Sequence, residues 1–374
     1  MLFSGEETMP NKLVVIFSFV FLAIAPVYAA SPEQPNLVPL DQNSLQILID
    51  NANKGDANAQ FNLGECYDKG KGVPQDCNEA VKWYKKAADQ GHMEADYNLG
   101  NAYGNLGRWQ EAIESFKQAI RIKPDYAEAH YSLGVAYGEL GRYQDEIESY
   151  KQAIRIKPDL AEAHSNLGIA YSKLGRYREE IESYKQAIRI KPDLAEAHFN
   201  LGVAYGELGR YQYAIESYKQ AIRIKPDNAE AHYNLGVAYG KLGRYQDEIE
   251  SYKQVIRIKP DDAEAHYNLG NAYDNLGRYQ DAIESFKQAI KSKPGLAEAH
   301  FNLGIAYSKL GRYQDEIESY KRAIKIKPDY AKAHYLLGIA YLLVGDKVSA
   351  LEEYNILKTL DAEQAKKLFN LIYQ

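Results

Sequence analysis

A segment of 34 residues recurs in near-copy along most of the chain, and this period limits what the chain can fold into. The copy that starts at Ala127 reads AEAHYSLGVAYGELGRYQDEIESYKQAIRIKPDL. Seven of the eight histidines mark the register, since each lies 34 residues after the one before, from His130 to His334. So short a repeat cannot bury an apolar face alone, and its copies must stack on one another. The period therefore predicts an array of repeats instead of one globular core.

Each repeat has the pattern of two antiparallel helices. The apolar stripe of the first helix is Leu133, Ala136, Tyr137 and Leu140, and that of the second is Ile147, Tyr150 and Ile154. Gly141 suits the end of the first helix, and Pro158 prevents the second from continuing. Asp159 is a good N-cap for the next repeat, and Glu162 completes a capping box with it. We therefore expect helix pairs that are joined by short, capped turns.

The same positions match the signature of the tetratricopeptide repeat (TPR). In the Ala127 repeat the residues that carry the resemblance are Leu133, Gly134, Ala136, Tyr137, Gly141, Tyr143, Tyr150, Ala153 and Pro158. Eight such repeats fill residues 93–364. The resemblance implies an all-α fold, a right-handed superhelical solenoid of antiparallel helix pairs in which the first helices line the concave face.

One position of the second helix departs from the TPR pattern, which usually has a small residue there. Four repeats keep alanine, at Ala112, Ala214, Ala282 and Ala350, and four carry glutamate, at Glu146, Glu180, Glu248 and Glu316. These glutamates lie near a helix N-terminus, where a negative charge is favourable. We expect their side chains to tilt into solvent.

The segment before the TPR array is similar to the Sel-one-like repeat, a relative of the TPR with a longer turn between its helices. Gly70, Gly72, Val73, Pro74, Trp83, Tyr84, Ala87, Ala88 and Gly91 carry this likeness within residues 56–92. We expect capping helices at 44–55 and 361–374, because the ends of a solenoid need polar covers. Cys66 and Cys77 form a candidate disulfide, and their spacing alone leaves the pairing open.

Residues 1–29 have the features of a signal peptide. An apolar run of 13 residues, Leu13–Ala25, precedes small residues that suit cleavage after Ala29. The run is shorter than the roughly 20 residues of a spanning helix, so export is the first interpretation and an uncleaved anchor the alternative. A start at Met9 instead of Met1 would give the positively charged beginning that such peptides have. Residues 30–43 would then be a flexible lead-in.

Composition and motifs argue against several functions. The formal charge is −6 in total and −5 from Ala30 onward, which disfavours nucleic acid as a partner. No phosphate-binding loop, nucleophile elbow or metal-ligand cluster is present in the sequence, so we expect no enzyme activity, cofactor or metal. The histidines of adjacent repeats are separated by an intervening helix, too far apart to share an ion. A structural packing role suits them better.

Two ladders of equivalent residues could serve binding. The candidate groove is Asn98, Tyr131, Asn166, Phe199, Asn200, Tyr233, Asn234, Tyr267, Asn268, Asn271, Phe301 and Asn302. Asparagine offers a donor and an acceptor to a peptide backbone, although it could also recur simply with the repeat. The glutamates equivalent to Glu128 could form an acidic groove, but helix capping explains them more simply. We expect the triple alanine replacement of Asn200, Asn234 and Asn268 to weaken partner binding with little change in melting.

The function that these features favour is a protein-protein interaction scaffold. An extended peptide or a helix of a partner protein would bind in the aromatic groove. A carbohydrate-binding or envelope-structural role is an alternative, since aromatic rings and amides also suit sugars. A regulatory subunit of a separately encoded enzyme is another.

Overall fold

The computed structural model describes residues 41–373, and every regular element in this range is an α-helix. The proposed signal peptide 1–29, its cleavage site and most of the lead-in 30–43 lie outside the described residues. Two compact units account for the described chain, an N-terminal unit of residues 41–204 and a C-terminal unit of residues 205–373, divided within one helix.

The N-terminal unit consists of a leading helix and successive helix pairs. Its helices are α1 (Gln42–Asn53), α2 (Ala57–Lys69), α3 (Cys77–Ala88), α4 (Met93–Asn105), α5 (Trp109–Ile122), α6 (Ala127–Glu139), α7 (Tyr143–Ile156), α8 (Ala161–Lys173) and α9 (Tyr177–Ile190), and the division falls inside α10 (Ala195–Glu207). From α1 to α9, each helix packs on the next. The core lies between the helices of each pair and between neighbouring pairs.

The C-terminal unit continues the same arrangement. Its helices are α11 (Tyr211–Ile224), α12 (Ala229–Lys241), α13 (Tyr245–Ile258), α14 (Ala263–Asn275), α15 (Tyr279–Ser292), α16 (Ala297–Lys309), α17 (Tyr313–Ile326), α18 (Ala331–Leu343), α19 (Lys347–Leu360) and α20 (Ala362–Tyr373). Helix α20 packs on both α18 and α19, with Leu368 fully buried. The predicted all-α array of antiparallel helix pairs is confirmed.

The turn between the helices of a pair is built in one way in most repeats. In the Ala127 repeat, Gly141 has a φ of 68°, a left-handed conformation that glycine adopts without strain. The Arg142 guanidinium lies 4.5 Å from the ring centroid of Tyr137 and 2.7 Å from the Asp145 carboxylate. The same arginine contacts occur at Arg108, Arg142, Arg176, Arg244, Arg278 and Arg312. We call this arrangement the arginine clamp.

The predicted capping box is wrong. Helix α8 has Leu160 as its N-cap and no side-chain cap, because Asp159 belongs to the turn before it. A side chain caps the helix where the position equivalent to Leu160 is polar, at Asn228 and Asp262. The Glu162 carboxylate instead lies 3.6 Å from the ammonium of Lys191. Helix capping therefore does not explain the glutamate ladder.

The expectation that the second-helix glutamates reach solvent is also wrong. Glu146, Glu180, Glu248 and Glu316 are all buried, with exposed fractions of 2 to 7 %. A small residue on the first helix of the pair leaves room for each glutamate side chain. A Cβ added at Gly240, for example, would lie only 2.8 Å from the Glu248 carboxyl carbon. Burial raises the pKa of Glu146 and Glu248 to about 8 and that of Glu316 to about 7. The carboxyl groups of Glu146 and Glu248 are therefore mostly protonated at pH 7, and that of Glu316 is about half protonated.

Candidate partner-binding face

The first helix of each pair keeps one side chain row partly exposed. In α6, Ala129, Leu133, Ala136 and Tyr137 are buried in the core, whereas Glu128, Tyr131, Val135 and Glu139 are half-buried or exposed. The second set is spaced by three or four residues, so its members share one helix face. We call this row and its equivalents in the other first helices the first-helix stripe.

The first-helix stripe has charged or polar ends, and its third member is aliphatic in α6, α8 and α16 but asparagine in α4 and α14. In the N-terminal unit its members are Glu94, Tyr97, Asn101 and Asn105 in α4, the α6 residues above, and Glu162, Ser165, Ile169 and Lys173 in α8. In the C-terminal unit they include Glu264, Tyr267, Asn271 and Asn275 in α14, and Glu298, Phe301, Ile305 and Lys309 in α16. Val135, Ile169 and Ile305 are half-buried. They leave apolar surface that a ligand can reach.

The asparagine ladder bonds to tyrosines of the preceding repeat. The side-chain amide of Asn166 donates to the Tyr131 hydroxyl at 3.0 Å, and that of Asn268 donates to the Tyr233 hydroxyl at 2.8 Å. Burial raises the pKa of Tyr131 to about 12, so its hydroxyl stays neutral. Each pair joins two stacked first helices. We call these bonds tyrosine–asparagine clips.

A third clip extends into a small network in the C-terminal unit. Asn302 donates to the Tyr267 hydroxyl at 3.1 Å and to the Asn271 carbonyl oxygen at 2.8 Å. Tyr233 also donates its hydroxyl proton to the Glu264 carboxylate at 2.6 Å. Sequence reasoning missed the clips, although a tyrosine followed 35 residues later by asparagine was the available signal.

Because of the clips and the burial of several members, only part of the candidate groove is accessible to a partner. Asn234 and Asn268 are only 2 % and 3 % exposed, so a partner cannot reach their amides. Phe199 and Phe301 are buried at 7 % and 9 % exposure. The remaining members, Asn98, Tyr131, Asn166, Asn200, Tyr233, Tyr267, Asn271 and Asn302, are half-buried. The reachable apolar surface comes from the aliphatic residues one turn further along the helix.

We expect Asn268→Ala to lower the free energy of unfolding by about 1–2 kcal/mol, since it removes a buried clip and leaves a small void. Asn200→Ala is the matched control, because Asn200 is half-buried and the residue 35 positions before it is Ser165. Urea unfolding followed by circular dichroism measures both. Equal stability of the two variants would show that the clip does not hold the repeats together. The triple replacement of Asn200, Asn234 and Asn268 should therefore lower the melting temperature, because Asn234 and Asn268 are buried.

The histidine ladder has a structural role, as its spacing suggested. In six repeats the histidine Nε2–H donates a hydrogen bond to the carbonyl oxygen of the proline six residues earlier, over 2.9 to 3.1 Å. The pairs are His130 with Pro124, His164 with Pro158, His198 with Pro192, His232 with Pro226, His266 with Pro260, and His334 with Pro328. The bond closes the turn that precedes each first helix. Across residues 41–373, no group of three or more histidine, cysteine, aspartate or glutamate residues could hold a metal ion.

Comparison with known families agrees with these elements. A TPR repeat profile matches residues 100–141, 139–175, 173–209, 207–243 and 241–277, and a second tetratricopeptide repeat profile matches residues 267–331. The Sel1 repeat profile matches residues 57–92. This chain belongs to the tetratricopeptide repeat family. It carries one Sel1 repeat before its TPR array, as the sequence predicted.

Individual relatives of this TPR protein match parts of it. A sel1-like repeat-containing protein of Acanthamoeba polyphaga mimivirus is 35% identical over 75 residues, which is 20% of this chain and 14% of that protein. The C-terminal part of a TPR repeat-containing protein from Cytophaga hutchinsonii is 18% identical, with a TM-score of 0.57 over 63% of this chain and 97% of that chain. The structure of MamA is 30% identical, with a TM-score of 0.43 over 44% of this chain and 97% of that chain. The Cytophaga likeness shows the shared fold.

The Sel1 repeat contains both cysteines of this TPR protein. Both are free thiols in the structure, so the candidate disulfide is not formed. Cys66 is buried in α2 with Ala59 and Leu63, and Cys77 begins α3. Burial raises the pKa of both thiols. They are therefore protonated in neutral solution, and Cys66 contributes as a small apolar side chain.

None of the helices among residues 41–373 is long and apolar enough to cross a membrane. The TPR fold is typical of protein-protein interaction scaffolds, and TPR and Sel1 repeats are generally non-catalytic.

Proposed function

We propose that this TPR protein is an exported, non-enzymatic scaffold that holds an extended peptide or a helix of a partner protein on the first-helix stripe. The observation that carries the proposal is the repeated, half-buried apolar middle of this stripe. Val135 and Ile169 present it in the N-terminal unit, and Ile305 and Ile339 present it in the C-terminal unit. Elongated ligands suit such a surface, because equivalent aliphatic side chains recur in several first helices.

The acidic end of the first-helix stripe indicates the charge of the partner. At this end of the N-terminal unit, Glu94 and Glu162 are exposed and Glu128 is half-buried. Glu128 lies 3.9 Å from Lys157 and Glu162 lies 3.6 Å from Lys191, with all four side chains well exposed. Such pairs contribute little stability and can exchange for a ligand cation at small cost. A partner segment with aliphatic side chains flanked by lysine or arginine fits this surface.

Export is part of the proposal and rests on the sequence of residues 1–29. The apolar run and the small residues before Ala30 support it. Mass spectrometry of the protein from its source cells should find an N-terminus at Ala30. Recovery of the intact N-terminus in the membrane fraction would instead support the uncleaved anchor.

The experiment that tests the binding face compares two double variants of equal charge. Val135→Lys with Ile169→Lys should weaken capture of partner proteins from the envelope fraction by about tenfold or more, because lysine removes the apolar contact. Gln118→Lys with Gln144→Lys is the control, since both glutamines are exposed on second helices of the same unit. Partners that bind both double variants equally would place the binding site elsewhere.

The carbohydrate alternative has less support from the structure. In three clips the asparagine amides already bond to tyrosine hydroxyls, which are the groups that would otherwise face a sugar. Binding to a glycan array by the wild-type protein, abolished by the stripe variant, would favour the carbohydrate function over the scaffold.

A further inference from the structure

The repeat of α10 and α11 has the arginine of the clamp, Arg210, but lacks its acidic partner. At the turn between α10 and α11, Tyr213 occupies the position that is aspartate or glutamate in the repeats with a clamp. Its ring stacks on Tyr205, with centroids 5.2 Å apart and planes at 28°. Tyr205 is equivalent to Tyr137, so a tyrosine ring here contacts the residue whose ring the arginine contacts in the clamp.

The replacement leaves an exposed cation beside an exposed ring. Arg210 is exposed and makes no ion pair and no ring contact with any residue between 41 and 373 that the structure describes. Tyr213 is 60 % exposed, whereas most large apolar side chains of the repeats are half-buried or buried. An unpaired, exposed guanidinium does not stabilise the fold, and the exposed part of the Tyr213 ring adds little to its contact with Tyr205.

The local sequence shows that folding does not require this tyrosine. Residues 209–217 read GRYQYAIES, and residues 277–285 read GRYQDAIES, so the two turns differ at Tyr213 and Asp281 alone. In the second turn Arg278 lies 2.8 Å from Asp281 and 4.6 Å from the Tyr273 ring centroid. The turn forms with either residue, so folding does not fix the residue at position 213, and Tyr213 can have a role in binding.

We propose that Arg210 and Tyr213 bind an acidic peptide segment of a partner, with a carboxylate on the guanidinium and an adjacent aromatic or aliphatic side chain on the tyrosine ring. The partner carboxylate takes the place that Asp281 has in the complete clamp. Arginine binds carboxylates through paired N–H donors, and exposed tyrosine gives large contact area at small entropic cost. The site lies on the turn before a second helix and not on the first-helix stripe. It takes an acidic ligand, whereas the acidic end of the stripe suits a basic one.

The test uses N-acetylphenylalanine, which carries a ring and a carboxylate, and its amide, which keeps the ring and loses the charge. Nuclear magnetic resonance of the arginine side-chain N–H groups should show saturable, millimolar binding of the acid at Arg210. The Arg210 resonance is assigned with Arg210→Lys. Tyr213→Asp should weaken this binding by about tenfold or more, because it restores an internal partner. The amide should bind about tenfold less tightly than the acid.

A gain of function completes the test. Asp281→Tyr gives the second turn the same nine residues as the first, so it should create a second site for the acid at Arg278. Equal binding by wild type and Tyr213→Asp, or equal binding of acid and amide, would overturn the proposal. Failure of Asp281→Tyr to bind at Arg278 in a folded protein would also contradict it. The stripe variants of the proposed function should bind the acid as the wild type does, which separates the two proposals.

Discussion

Replacing Gly304 by alanine should lower the free energy of unfolding of the C-terminal unit by about 1–3 kcal/mol. The added Cβ would lie 2.5 Å from Cε1 and 2.7 Å from Cδ1 of Tyr320, closer than carbon atoms can approach. The Tyr320 side chain is 1 % exposed, and its ring packs at a tilt against that of Phe301 with the centroids 5.7 Å apart, so it has no free space to move into. The clash outweighs the roughly 1 kcal/mol by which alanine favours a helix over glycine.

Gly295→Ala is the matched control for this prediction. An added Cβ there meets no heavy atom within 4 Å, and the residue does not have a positive φ. The control should be neutral or stabilised by up to about 1 kcal/mol, since alanine restricts the unfolded chain. Urea unfolding of both variants by circular dichroism measures the difference. Equal midpoints for Gly304→Ala and the control would show that the helices separate at little cost.

The second large effect is a dependence of stability on pH that Glu248→Gln should reduce. Burial raises the pKa of Glu248 to about 8, from the ordinary value near 4.5. The folded state therefore holds a proton that the unfolded chain releases in this window, and the free energy of unfolding falls as pH rises from about 4.5 through about 8. Glutamine resembles the protonated carboxyl group and does not ionise. The variant should match the wild type near about pH 5 and exceed its stability by roughly 4 kcal/mol near about pH 9.

Glu250→Gln tests whether this effect needs burial. Glu250 is exposed in the same helix and accepts a hydrogen bond from Gln254 at 2.9 Å. Its replacement should leave stability nearly unchanged at both pH values. Unfolding curves at several pH values compare the three proteins. A Glu248→Gln variant that is less stable than the wild type at alkaline pH would show an ionised, well-paired carboxylate instead.

The repeat pattern was sufficient to predict the helices of the array. The spacing of Leu133, Ala136 and Tyr137 and the breaks at Gly141 and Pro158 predicted helices where α6 and α7 lie. Such local signals are reliable because helix periodicity and backbone conformation depend on neighbours in the chain. The capping box failed since Asp159 and Leu160 compete for one position, and only the turn geometry decides between them.

The candidate binding residues were predicted less well, because their exposure depends on packing. The same asparagine position is half-buried at Asn166 and Asn302 but buried at Asn234 and Asn268. Sequence position places these residues on one helix face, and the neighbouring repeat decides whether they are covered. The aliphatic middle of the stripe, at Val135 and Ile169, became the better candidate once burial was known.

The sequence by itself determined the array: its helix pairs, its TPR and Sel1 repeats and the register of each equivalent residue, since all of these follow from a 34-residue period and local helix signals. The tertiary structure alone decided the environment of each ladder. It buried the Glu146 and Glu248 carboxyl groups against glycines and joined Tyr233 to Asn268. These outcomes arise from side chains of different helices that meet in space, and the residue spacing along a single helix does not encode them.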